Sequence, residues 1–126
     1  MKHTESSIQR ELILWLKQTY PNVEYIFRKN EGMKSQQTAT LDKKMGLMAG
    51  VPDLQLLLNK NNITYILELE IKIIKGMLNP NQRRWHAAFV ETSNRKLATG
   101  YGFAQCKEII ENWIKDILAP QGHLTE

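Results

Sequence analysis

Asp53 follows Pro52, and 17 residues later a short run carries Glu70, Ile71 and Lys72. Side chains alternate along a strand, so Glu70 and Lys72 share one face if this run is extended. Leu67, Leu69, Ile71 and Ile73 then share the opposite, apolar face. A hairpin pairing this strand with the segment at Asp53 brings Asp53 to the Glu70/Lys72 face, where two carboxylates and an ammonium converge. Hard divalent ions, Mg²⁺ or Mn²⁺, prefer carboxylate oxygens, carbonyl oxygens and water. Asp53 and Glu70 supply the carboxylates, and the Ile71 carbonyl is a candidate for a further oxygen. Metal-assisted hydrolysis of a phosphodiester is the chemistry such a group suits. Lys72 would orient the attacking water or neutralise charge developing on the phosphorane oxygens.

Simpler readings stand beside this one. Asp53 after a proline is also a common strand-entry residue, and Glu70 with Lys72 is also an exposed charged face. Glu68 adds like charge to that face, and crowded acids are better explained by a cation than by stability. Glu68 also leaves the register open by one pleat. Glu70 is preferred, because only it gives the Glu-x-Lys order.

The elements that must position these residues read as follows. Residues 5–19 form a helix, with Ile8, Leu12, Trp15 and Leu16 on one face, Thr4 as N-cap and Glu5 in the first turn. Residues 23–27 read as a strand, residues 28–35 as a polar loop and residues 36–45 as a short helix ending near Gly46. Gly46 to Pro52 marks a turn. Residues 53–58 and 63–74 are strands joined at Lys60-Asn61-Asn62. Asn79 caps a helix that has Pro80 at its first position, with Gln82 reaching back as in a capping box. Trp85, Ala88, Phe89 and Thr92 share one face of it. Residues 97–101 are a short strand, and Phe103, Cys106, Ile110, Trp113 and Ile117 are the stripe of a last helix. The order α-β-α-β-β-α-β-α predicts an α/β fold, a mixed sheet flanked by helices.

With these residues in place, the chain resembles a known family. Gly50-Val51-Pro52-Asp53-Leu54 followed by Glu70-Ile71-Lys72 is similar to the PD-(D/E)xK nuclease motif. The stretch from Lys75-Gly76-Met77-Leu78 through Asn79 to Gln82 resembles the virus-type replication-repair nuclease domain, VRR-NUC. Glu5 and Gln9 resemble that family's first helix. The likeness runs over residues 4–118. It implies a restriction-endonuclease-like core in which Asp53 and Glu70 bind metal, Lys72 is the catalytic lysine, Glu5 borders the metal site and Gln82 opens the helix behind it. It further implies Mg²⁺- or Mn²⁺-dependent cleavage of DNA, with branched DNA such as a Holliday junction as substrate and a homodimer as the working form. Asn79 departs from the serine or threonine common in the family, a conservative change at an N-cap. A catalytically idle nucleic-acid-binding or scaffold member of the same fold is the alternative. The resemblance thus adds Glu5 to the metal residues and Gln82 to the catalytic ones; the simpler reading is that Glu5 stabilises a helix start and Gln82 caps one.

Charge and composition set outer bounds. Seventeen basic residues face 13 acidic ones, a formal +4 spread along the chain. This is compatible with a phosphate-rich partner. Arg28, Lys29, Lys34, Lys43 and Lys44, near or in the polar segment, are candidates to track a nucleic-acid backbone, as are Arg83 and Arg84 at the start of the capped helix. The alternative for each is a solvated surface. One cysteine, Cys106, excludes an internal disulfide framework and any Cys-based zinc site. His3, His86 and His123 show no metal-ligand spacing. Trp15, Trp85 and Trp113 are expected in the core. No apolar run approaches the ~18 residues of a membrane span, and no signal-peptide core is evident. A cytoplasmic protein of a bacterial or phage-infected cell is expected, with residues 1–119 as one domain, residues 120–126 as a tail and no organic cofactor.

Overall fold

The computed structural model describes residues 4–28, 50–73 and 76–119. Their elements are α1 (Glu5–Thr19), β1 (Glu24–Phe27), β2 (Leu54–Lys60), β3 (Ile63–Lys72), α2 (Pro80–Ala88), β4 (Arg95–Tyr101) and α3 (Phe103–Leu118). The expected helix over 36–45 and the turn from Gly46 to Ala49 lie outside the described residues, as do Lys29, Lys34, Lys43, Lys44, and the tail.

Strands β2 and β3 are joined by two residues, Asn61 and Asn62, with φ of 54° and 65°. A two-residue hairpin whose twist matches its strands needs positive φ at both positions, and asparagine tolerates it better than most residues. The turn sets the antiparallel register, with Leu54 opposite Leu69 and Leu56 opposite Leu67. Leu54, Leu56, Leu67, Leu69 and Ile71 are thereby buried on one face. They pack with Ile8, Leu12 and Leu16 of α1 and with Cys106, Ile110 and Ile114 of α3. Each such side chain stabilises by roughly 2 kcal/mol, so this face, rather than any charge pair opposite it, decides the register.

The sheet order is β1-β2-β3-β4. β1 pairs antiparallel with β2, and β4 pairs parallel with β3. A parallel neighbour requires a crossover, and α2 is that crossover. It ends at Ala88, so Phe89 and Thr92 lie beyond it rather than on its face. Neither α2 nor Trp85 reaches the core: no residue of the helix is fully buried. Trp85 instead stacks on Phe89 at 5.4 Å, with the Arg95 guanidinium 5.0 Å above the Phe89 ring. Ile73, expected on the apolar face, is past the end of β3 and 39% exposed. α3 closes against β4 where Gly100 lets Cys106 approach, since a Cβ there would collide with the Cys106 thiol. Lys60 donates to the Ile117 and Ala119 carbonyls at 2.8 and 3.1 Å, placing a cation at the negative end of α3.

The opposite face of the hairpin carries Glu68, whose position on a buried strand demands a partner. Arg28 Nη1 and Nη2 lie 2.8 and 3.4 Å from its two oxygens. Gln55 Nε2 donates to Oε2 at 2.7 Å. Arg28 Nη1 also donates to the Pro52 carbonyl at 2.8 Å, which ties the pair to the turn before β2. Glu68→Ala leaves a half-buried guanidinium unpaired and should lower unfolding free energy by about 3 kcal/mol. Urea denaturation measures this. A loss under about 0.5 kcal/mol would show that the pair does not hold the turn.

Candidate active site

Asp53 sits one residue before β2, and extending the hairpin register by one step sets it opposite Glu70. Both of its neighbouring strands grip it. Its carbonyl accepts from the Arg28 amide at 2.8 Å. Its carboxylate Oδ2 accepts from the Ile71 amide at 2.8 Å, so the side chain extends the ladder where the strand has turned away. Gly50 fixes the approach to this turn. Its φ is +91°, and a Cβ there would strike the Asn81 carbonyl in the first turn of α2. Only glycine satisfies both demands cheaply.

Glu70 is fully buried. Asn79 and Gln82 form the expected capping box: Gln82 Oε1 accepts from the Asn79 amide and Asn79 Oδ1 accepts from the Gln82 amide, both at 2.9 Å. The remaining end of the Gln82 amide, Nε2, donates to Glu70 Oε2 at 2.9 Å. One side chain thus starts the helix and holds the acid. Glu70 Oε1 is buried and has no hydrogen-bond partner among the described residues.

Lys72 lies on the same face as Glu70 and is also buried. Its Nζ is 3.9 Å from Glu5 Oε2, at the first turn of α1. Burial drives the Glu70 pKa far above the usual carboxylate range. The hydrogen bond that protonated Glu70 donates to the adjacent Asp53, and the charge of Asp53, push the same way, Lys72 pulls it back and Glu5 adds a smaller upward push. Burial, with the charge of Asp53, raises the Cys106 thiol to about 12, which leaves it inert.

Asp53, Glu70, Lys72, Gln82 and Glu5 therefore converge at one end of the sheet. Glu68, one pleat away, is engaged by Arg28 and Gln55, so Glu70 is the acid that faces Asp53. Arg28, expected to track a nucleic-acid backbone, is committed to Glu68 and Pro52. Arg83 and Arg84 are exposed on α2, and Arg83 Nη1 donates to the Leu78 carbonyl at 2.7 Å. His86 was missed by motif reading. It lies four residues after Gln82, one helical turn on, and the same face of α2 sets its Nε2 3.9 Å from Glu70 Oε1. That spacing was the available signal.

Among the described residues no three His, Cys, Asp or Glu side chains form a ready-made metal cluster. The donors are two adjacent carboxylates, one with a buried oxygen lacking a partner. Adjacent acids whose mutual repulsion Lys72 offsets only in part fit a hard divalent cation completed by carbonyl oxygen and water.

In the metal-free protein the raised Glu70 pKa has a definite consequence. Above its ordinary value of 4.5 the unfolded chain has released a proton that the folded chain retains. Stability therefore falls as pH rises from about 4.5 through neutrality. Glu70→Gln removes the titrating group. In EDTA it should unfold at higher urea than wild type near pH 8, with the gap closing toward pH 5. Parallel pH profiles for the two proteins would show that Glu70 titrates normally.

No family model matches the chain, and no curated protein does. Among solved structures, one described as a VRR_NUC domain protein matches over 91% of this chain and 91% of its own, with a TM-score of 0.63 and 21% identity. Among the described residues no helix is long and apolar enough to cross a membrane. The chain has the α/β fold of a VRR_NUC domain protein: a mixed four-stranded sheet flanked by helices.

Proposed function

We propose that the protein is a divalent-metal-dependent deoxyribonuclease of the PD-(D/E)xK type, acting on branched DNA such as a Holliday junction as a homodimer. The observation that carries this reading is the buried Glu70 beside the half-buried Asp53, with buried Lys72 on the same face. A structural role gives a fully buried acid no reason to stand beside a second one. The fold shared with a VRR_NUC domain protein supports it.

Asp53, Glu70 and the Ile71 carbonyl are the residues that would hold Mg²⁺ or Mn²⁺. Such an ion, when bound, polarises a phosphate oxygen and eases ionisation of a water. The protein's own groups do the rest. Gln82 orients Glu70 through Oε2 and leaves Oε1 available. Asp53 is locked by the Ile71 amide, so its position does not depend on the ligand. Lys72, steered by Glu5, presents an ammonium to the attacking water or to the phosphate charge that grows in the transition state. Arg83 and Arg84, with Lys29, Lys34, Lys43 and Lys44, are assigned to the DNA backbone, where contacts are non-specific and salt-sensitive. Arg28 serves this interface only through the turn it anchors. Residues 1–119 act as one domain and residues 120–126 as a tail. The site of action is the cytoplasm of a bacterial or phage-infected cell.

The test is cleavage of a labelled four-way junction beside matched duplex and single-stranded DNA, with Mn²⁺, Mg²⁺ or EDTA. Paired cuts near the branch that require metal are expected, with Lys72→Ala reducing the rate by at least about 100-fold. Equal cutting of all three substrates removes the junction preference. No cutting by folded protein with either metal overturns the nuclease in favour of an idle nucleic-acid-binding protein. A junction has two strands to cut and each chain has one site, so two-fold pairing is the economical arrangement. Sedimentation at micromolar concentration should show a dimer, and monomer alone would remove that part of the reading.

A further inference from the structure

We infer that His86 is a nitrogen ligand of the same divalent ion, sharing it with Glu70 Oε1. The inference rests on the proposed metal-dependent reading and adds to it a residue and a metal preference.

Glu70 Oε1 and His86 Nε2 are both buried, and with Glu70 ionised neither has a hydrogen-bond partner among the described residues. Buried polar atoms are almost always satisfied, so two unsatisfied atoms facing each other point to a common ligand. Their 3.9 Å separation is too long for a hydrogen bond. It is short enough for both to reach one ion through bonds of roughly 2.1 Å.

The placement follows from the helix. Gln82 and His86 stand one turn apart on one face of α2 and address the two oxygens of a single carboxylate. Gln82 takes Oε2 with an N–H. His86 faces Oε1 across that gap with a ring nitrogen that, unprotonated, offers a lone pair. Glu70 beside Asp53 needs more positive charge than its neighbours supply: Lys72 attracts it but is shared with Glu5 at 3.9 Å, and Arg28 holds Glu68. An imidazole ligand favours Mn²⁺ over Mg²⁺, because Mg²⁺ demands oxygen more strictly than Mn²⁺ does.

The direct test is pulsed electron paramagnetic resonance of Mn²⁺ bound to the full chain, with affinity followed by calorimetry. Wild type should show ¹⁴N coupling from a directly bound imidazole, converted to ¹⁵N coupling when histidine alone is ¹⁵N-labelled. His86→Gln should abolish that coupling and weaken Mn²⁺ by about tenfold or more, while Mg²⁺ binding changes little. The wild-type spectrum decides the matter even if the variant folds poorly. Mn²⁺ bound without nitrogen coupling overturns the inference and leaves the metal-dependent reading intact. Coupling that persists in folded His86→Gln would belong to His3 or His123 and also overturns it. No Mn²⁺ binding at all overturns both. Nitrogen coupling without DNA cleavage keeps the ligand and removes the nuclease.

Discussion

The register between β2 and β3 is the constraint on which the rest depends. Side chains alternate along a strand, so a slip of one residue would drive Glu68, Glu70 and Lys72 into the space occupied by Leu67, Leu69 and Ile71. Nothing in that space can compensate three charges. The leucine faces and the Asn61-Asn62 turn forbid the slip, and the same register delivers Asp53 to the side of Glu70. The site is therefore a by-product of how the hairpin buries its leucines. The cost falls on Glu70, an acid sealed at the sheet end beside another acid.

Around that acid the chain has divided its polar groups into two sets. Arg28, Glu68, Gln55 and the Pro52 carbonyl form a closed network in which each charge is answered. It stiffens the turn that presents Asp53. Asp53, Glu70 and His86 form an open set, with buried atoms left over. A buried network that is complete contributes rigidity, whereas one that is incomplete is costly unless something binds there. The two sets stand one pleat apart on one strand, which is why Glu68 and Glu70 are so alike in the sequence and so different in the fold.

Much of this was legible beforehand, for local reasons. The hairpin, the capping box of Asn79 and Gln82, the apolar stripes of α1 and α3 and the order Asp53, Glu70, Lys72 all depend on residues close in the chain. What escaped depends on distant partners. Nothing near Glu68 announces that Arg28, 40 residues upstream, will neutralise it, so Arg28 read as a cation for DNA and Glu68 as a rival of Glu70. Trp85 read as core because apolar spacing on a helix usually faces a core. α2 packs instead against the charged end of the sheet, with its tryptophan resting on Phe89. His86 escaped because its partner is a carboxylate on another element, and histidine spacing alone cannot reveal that.

The double use of the Gln82 amide ties helix order to the state of a single carboxylate. α2 has nine residues and none fully buried, and an isolated helix of that length is marginal in water. It stands on its capping box and on its grip on Glu70. Whatever changes the charge on Glu70, a proton or a cation, changes how firmly the first turn of α2 is held, and by linkage fraying of that turn changes affinity at the carboxylate. The crossover helix is in this sense a local folding equilibrium coupled to occupancy of the site. Amide exchange along residues 80–88 would sense an ion that none of those backbone groups touches.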